Sequence, residues 1–204
     1  ITGIPVVTGV AEGVSEQKKV NAEAASETRM VKFYMDAFCE SKEIDGMMVV
    51  LKHDKVWLAP KDSKTELPKP LKDGTEPHPF TGFYIMYPDD ARVPPERGLV
   101  STISNDPPML NWIYCDKSTL ELRYGNRTAS IQHIIGPWDW TEDEAGVLLE
   151  DWEGFVAVEE KEREDGLEWA IYYDKSDDDL GNGGQVDGKR RLQCSLERRV
   201  LPEE

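Results

Sequence analysis

The sequence predicts a mainly β protein: an antiparallel β-barrel or sandwich of about nine or ten short strands, with one long N-terminal α-helix. Three observations carry that prediction. Apolar residues recur at spacings of three and four up to residue 41, then at every second position from residue 47 onward. The stretches of period two are short and are separated by hairpin-length clusters of Gly, Asn, Asp and Pro. Hydrophobic residues make up 39% of 204 residues, enough to pack one sizeable core. The expected organisation is a single domain over 1–204, with an extended lead-in at 1–14, a helix at 15–41 and a β body at 47–201.

The lead-in is read from Gly3, Pro5, Gly9 and Gly13. Ser15 can cap the helix, and Val20, Ala24, Thr28, Val31, Met35 and Phe38 would then share one face. Asp45-Gly46 ends it. Met47 to Leu51 and Lys55 to Leu58 flank His53-Asp54 as a hairpin. Residues 60–80 hold five prolines and read as a long loop. Strands follow at Phe80 to Tyr87, Leu99 to Ser104, Leu110 to Cys115 and Thr119 to Tyr124. Ile131 to Ile135 is a short apolar run before Gly136-Pro137. Trp152, Gly154, Val156 and Val158 alternate with Glu153, Phe155, Ala157 and Glu159, and Leu167, Trp169, Ile171 and Tyr173 with Glu168, Ala170 and Tyr172; Glu164-Asp165-Gly166 marks the turn between the two strands. Asp174 to Gly188 reads as a polar loop, and Leu192, Cys194 and Leu196 mark a last strand.

Charge excludes some partners. The net charge is −16, which repels nucleic-acid phosphate and anionic lipid. From Asp139 to Leu180 there are 17 acidic and 3 basic residues, a local net of −14. Lys189, Arg190, Arg191, Arg198 and Arg199 then reverse the sign. Cross-strand pairing of that basic tail with the acidic segment is expected, and an exposed acidic surface would suit a protein partner with a basic surface. Cys39, Cys115 and Cys194 are sparse and odd in number, so free thiols and a cytoplasmic setting are expected. The sequon Asn126-Arg127-Thr128 is the contrary sign, although Gly125-Asn126 also reads as a turn. Ile1 to Val10 has neither the basic start nor the apolar stretch of a secretory signal.

The most unusual stretch runs from Gly136 to Glu144. In an extended chain Trp138 and Trp140 share a face, with Asp139 between them pointing away. Two indoles beside a carboxylate can stack on a sugar ring or grip a peptide, so Trp138, Asp139 and Trp140 form the candidate ligand-binding site. The competing reading is that they close the core. Their flanks predict a split, with one indole buried and the other partly open. Asp174 to Gly181 has the composition of a calcium loop without its spacing, since Asp179 and Gln185 stand where Gly and Glu are required. His53, His78 and His133 have no metal-ligand spacing, and no nucleophile elbow, phosphate loop or dinucleotide fingerprint is present. No catalytic residue, metal or cofactor is assigned.

The strings GLVSTISNDPPMLNWIYCDKSTLELRYGNRTASIQHIIGPWDWTED and LEDWEGFVAVEE resemble a protein family of filamentous fungi to which no function is attached. The resemblance covers most of the chain and implies a eukaryotic, cytoplasmic setting. Three functional readings follow. The first is a non-enzymatic intracellular interaction domain with an acidic surface. The second is a small-ligand or carbohydrate-binding barrel with an aromatic pocket, for which six Trp and seven Tyr speak. The third is an enzyme with scattered groups.

Overall fold

A computed structural model describes residues 27–161, 163–181 and 185–202. Its strands are β1 (Phe33–Phe38), β2 (Met48–Lys52), β3 (Lys55–Ala59), β4 (His78–Pro79), β5 (Gly82–Met86), β6 (Arg97–Asn105) and β7 (Pro108–Cys115). They continue with β8 (Leu122–Gly125), β9 (Trp138–Trp140), β10 (Val147–Leu149), β11 (Phe155–Glu159), β12 (Trp169–Tyr173) and β13 (Arg191–Val200). A short helix, α1 (Arg127–Ser130), lies between β8 and β9.

Nine antiparallel strands close a barrel in the order β12-β11-β13-β1-β5-β6-β7-β8-β3, with β3 pairing back to β12. Closure removes the unpaired edges that an open sheet would expose. Two strands fork the sheet. β1 pairs with β5 at Phe33 and with β2 at Asp36. β3 pairs with β12 at Leu58 and Trp57, and with β8 at Lys55. β2 therefore bridges β1 and β3 as a shorter path across the ring.

The expected helix at 15–41 is corrected in its second half. Residues 27–29 are helical, but Phe33–Phe38 is β1, paired with β13 along its whole length. The reason is a competing period. Phe33, Met35 and Ala37 are buried in the barrel, whereas Val31 and Phe38, apolar on the helical reading, are 46% and 45% exposed. A six-residue ladder on a strand that already exists outweighs helix propensity in a segment this short. Residues 1–26 lie outside the described residues, and with them the lead-in and the first half of the helix.

The strands β2, β3, β11 and β12 are buried on both faces. Inward, Val49, Leu51, Val56, Leu58, Ala157 and Ile171 join the main core. Outward, Val50, Trp57, Val156, Val158, Ala170 and Tyr172 form a second layer. Loop residues cover that layer: Leu71 from the proline-rich segment, and Leu180 and Val186 from the polar loop. The loop after β12 is built on Asp174, whose carboxylate accepts the N–H groups of Asp178, Asp179 and Leu180. Both its oxygens are used in shaping the backbone, in a loop whose composition alone looked like a calcium site.

The hairpin turn His53-Asp54 has both residues at positive φ, 55° and 58°, the geometry that suits a two-residue hairpin. Asn126 caps α1, its side chain accepting from the Ala129 N–H at 2.9 Å. The basic tail pairs as charge predicted. Lys189 Nζ lies 2.7 Å from Glu160 and Arg190 Nε 2.9 Å from Glu159. Arg199 and Lys61 hold Asp36 at 2.8 and 3.2 Å.

Candidate functional site

The stretch singled out by the sequence forms β9, which pairs with β10 in a separate two-stranded ribbon. Trp138 is fully buried. It stacks on Phe155 with ring centroids 6.2 Å apart, and its Nε1 donates to the Ile113 carbonyl at 3.2 Å. No surface of this indole is left for a ligand. Trp140 is half-buried and meets Tyr84 edge-on at 5.8 Å. The guanidinium groups of Arg29 and Arg198 stand over its ring, 4.5 and 4.4 Å from the centroid.

Asp139 is the carboxylate of this cluster. It accepts from Arg29 Nε at 3.1 Å, from Arg97 Nη1 at 3.2 Å and from the Trp140 N–H at 2.9 Å. Burial, and then the neighbouring charge of Arg29, hold Arg97 below the usual arginine range. Burial does the same for Arg198. The three residues are thus divided: Trp138 belongs to the core, while Asp139 and Trp140 centre a cation–aromatic cluster tying β9 to β6 and β13.

An open site lies elsewhere. A cleft of about 660 Å³ opens beside the ends of β1, β11 and β13. Phe38 and Trp152 stand on its rim, 45% and 40% exposed. Trp152 is fixed in place. Its Nε1 donates to the Asp174 carbonyl at 3.0 Å, and its ring lies directly against Gly154, where a Cβ would overlap it. The chain enters this turn through Glu150 and Asp151, both at positive φ (52° and 60°). One side of the indole is therefore held on backbone while the rest of the ring remains open to the cleft.

Polar groups surround this platform. Glu40, Glu153 and Asp177 supply carboxylates, and Ser41, Gln193 and Ser195 supply neutral donors and acceptors. Arg191 lines the same cleft, with Nη2 donating to the Val186 carbonyl at 3.2 Å and Nη1 lying 3.4 Å from the Asp179 carboxylate. Cys39 and Cys194 lie in its wall. Burial pushes the Cys194 thiol up to about 12, so it is neutral at ordinary pH. Three His, Cys, Asp or Glu side chains grouped as metal ligands do not occur among the described residues.

Sequence reasoning placed Trp152 as one of several alternating strand residues and did not single it out. A signal was present. Asp151-Trp152-Glu153-Gly154 puts an indole among acids, with a glycine two residues on. A glycine at that spacing is where a large ring can fold back onto the backbone.

A family model described as the fungal beta-trefoil domain matches residues 9–202. The chain belongs to the fungal beta-trefoil domain family. The match spans nearly all of the chain and bears out the resemblance to fungal proteins. No curated protein and no solved structure matches it. In this member of the family, Trp140 on β9 lies under two guanidinium groups, and Trp152 lines a cleft that also holds carboxylates and Arg191.

Proposed function

We propose that this fungal beta-trefoil domain is a binding domain whose cleft seats the apolar face of a neutral sugar against Trp152. The observation that carries the reading is the fixed indole. A ring already locked by a hydrogen bond and a backbone contact loses little side-chain entropy when a ligand stacks on it. The carboxylates and amides around it suit hydroxyl groups, which need acceptors as well as donors. Aromatic stacking with edge hydrogen bonds is the general design of small polar ligand sites.

A glycan array of neutral mono- and oligosaccharides tests it, with Trp152→Ala as the paired variant. Binding by the native protein and a loss of about tenfold or more in the variant are expected, since stacking and ring burial together are worth roughly 1–3 kcal/mol. Native protein that binds no sugar on the array, or a variant that binds as well, overturns the reading.

A second reading has its own support. Thr141, Glu142, Asp143, Glu153 and Glu197 line an acidic recess of about 410 Å³, and Glu153 belongs to the main cleft as well. That continuity favours an interaction domain for a basic protein partner. A lysine-rich peptide bound with steep salt dependence, and insensitive to Trp152→Ala, distinguishes it from the sugar reading. Either function is placed in the cytoplasm, without nucleic-acid or membrane partners. The net charge of −16 and the three free cysteines support that placement. No helix among the described residues is long and apolar enough to cross a membrane.

A further inference from the structure

Cys39 directly follows the last residue of β1, and Cys194 lies in β13, the strand that β1 pairs with. β1 and β13 run antiparallel, with Met35 opposite Arg198, Ala37 opposite Leu196 and Phe38 opposite Ser195. One further step in the same register places Cys39 opposite Cys194. Side chains alternate along a strand, so Cys39 shares the face of Met35 and Ala37, and Cys194 shares that of Leu196. Those neighbours all point into the barrel core. The Cys39 sulfur lies 3.2 Å from the carbonyl oxygen of Gln193, the residue next to Cys194.

The backbone hydrogen bonds set the spacing of this pair. Leu201 N–H donates to the Lys32 carbonyl at 3.1 Å, which makes the even positions of β1 the hydrogen-bonded partners of β13. The odd positions turn away. Ala37 donates to the Met47 carbonyl and accepts from Gly46, both at 2.8 Å, while Arg198 donates to the Ala145 carbonyl. Cys39 N–H likewise donates to Asp45 Oδ1 at 3.1 Å. Continued one residue past the end of β1, this ladder makes Cys39 and Cys194 a non-hydrogen-bonded antiparallel pair. Such pairs have Cα atoms about 4.5 Å apart, the closest approach in a sheet. A disulfide requires a Cα separation of roughly 4.4–6.8 Å, and the general spacing of such a pair falls within that range.

We propose that Cys39 and Cys194 are a redox-active dithiol that closes to a cross-strand disulfide on reaction with a small-molecule disulfide such as oxidised glutathione. Cys39, partly open to the cleft, is the point of entry. Its thiolate attacks one sulfur of the oxidant; that S–S bond breaks, and one half leaves as a thiol after taking up a proton. Cys194 then gives up its proton, and its sulfur attacks Cys39 Sγ, releasing the second half as a thiol. Two protein thiols lose two electrons and two protons, and one oxidant disulfide becomes two thiols. Cys194 is buried, which keeps an external oxidant from its sulfur and leaves it the second, intramolecular step, in which its proton passes to the departing thiolate. The new bond would lie in the wall of the Trp152 cleft, and the proposal stands whatever that cleft binds.

The folded, reduced protein is incubated with excess oxidised glutathione, and thiols are then counted after denaturation without reductant. A fall from three thiols to one is expected, since Cys115 is fully buried and closed to the oxidant. Peptide mass spectrometry should find Cys39 joined to Cys194. Cys194→Ala should instead stop at one glutathionyl group on Cys39, and Cys39→Ser should gain none while folded. A native protein that keeps three thiols overturns the proposal, as does one that carries glutathione on Cys39 without the cross-link. The native protein alone decides the matter if either variant fails to fold.

Discussion

Gly154→Ala is the sharpest perturbation of the Trp152 platform, because it adds one methyl group where the indole rests. An alanine Cβ at this position would overlap Trp152 at Nε1 and Cδ1. Gly154 has no positive φ, so alanine fits the backbone and the ring must move instead. The ring then loses its hydrogen bond to the Asp174 carbonyl, worth about 1 kcal/mol net. Trp152 is 40% exposed. About 60% of an indole side chain, on the order of 90–150 Å², is therefore covered, or roughly 2–4 kcal/mol at about 25 cal/mol per Å². A displaced ring keeps part of that cover, so a total loss of about 1–3 kcal/mol is expected. Urea melts followed by circular dichroism measure the loss. Proton NMR of the indole N–H measures its cause, because a bonded Nε1–H exchanges slowly and a displaced one does not. The reasoning fails if the variant melts within error of the native protein and its Trp152 indole N–H keeps its shift and protection.

Other outcomes follow from the same contacts. Trp138→Ala should cost about 3–5 kcal/mol in urea melts, whereas Trp140→Ala, half-exposed, should cost clearly less; equal losses would show that the two indoles are not split between core and surface. Asp139→Asn leaves Arg29, Arg97 and Arg198 grouped without their carboxylate and should cost about 1–2 kcal/mol, an effect that shrinks as salt is added. Asp165 is mostly hidden; burial pushes its carboxyl up, but hydrogen bonds from Arg163, His53 and the Leu167 N–H outweigh that and hold it below the usual carboxylate range. Its stabilisation is complete above the unfolded value of about 3.9 and disappears as pH falls toward the lower folded value, so acid unfolding should lose this component in Asp165→Asn. In the native protein a maleimide should label Cys39 first and reach Cys115 and Cys194 only on unfolding, because burial raises both of those thiols.

The sequence by itself determined the β class, the hairpin at His53-Asp54, the pairing of β11 with β12 and the charge reversal that links the tail to Glu159 and Glu160. These are readable because each rests on neighbours in the chain: a period of two, a turn residue, a run of one sign. Tertiary structure decided the rest. Phe33 to Phe38 fits a helical and a strand period about equally well by eye, and the choice is made by β13, more than 150 residues away, which offers a ladder. Leu71, Leu180 and Val186 look like strays in polar loops until β2, β3, β11 and β12 present a second apolar face for them to cover. The same holds for the site. Trp138 and Trp140 read alike in sequence, yet Phe155 stacks on one and two guanidinium groups cover the other. Trp152 became an open platform only because Asp174, 22 residues on, supplies a carbonyl at the right height. Burial and hydrogen-bond partners are properties of segments that meet in space, and barrel closure, which brings β3 to β12, is the event that assigns them.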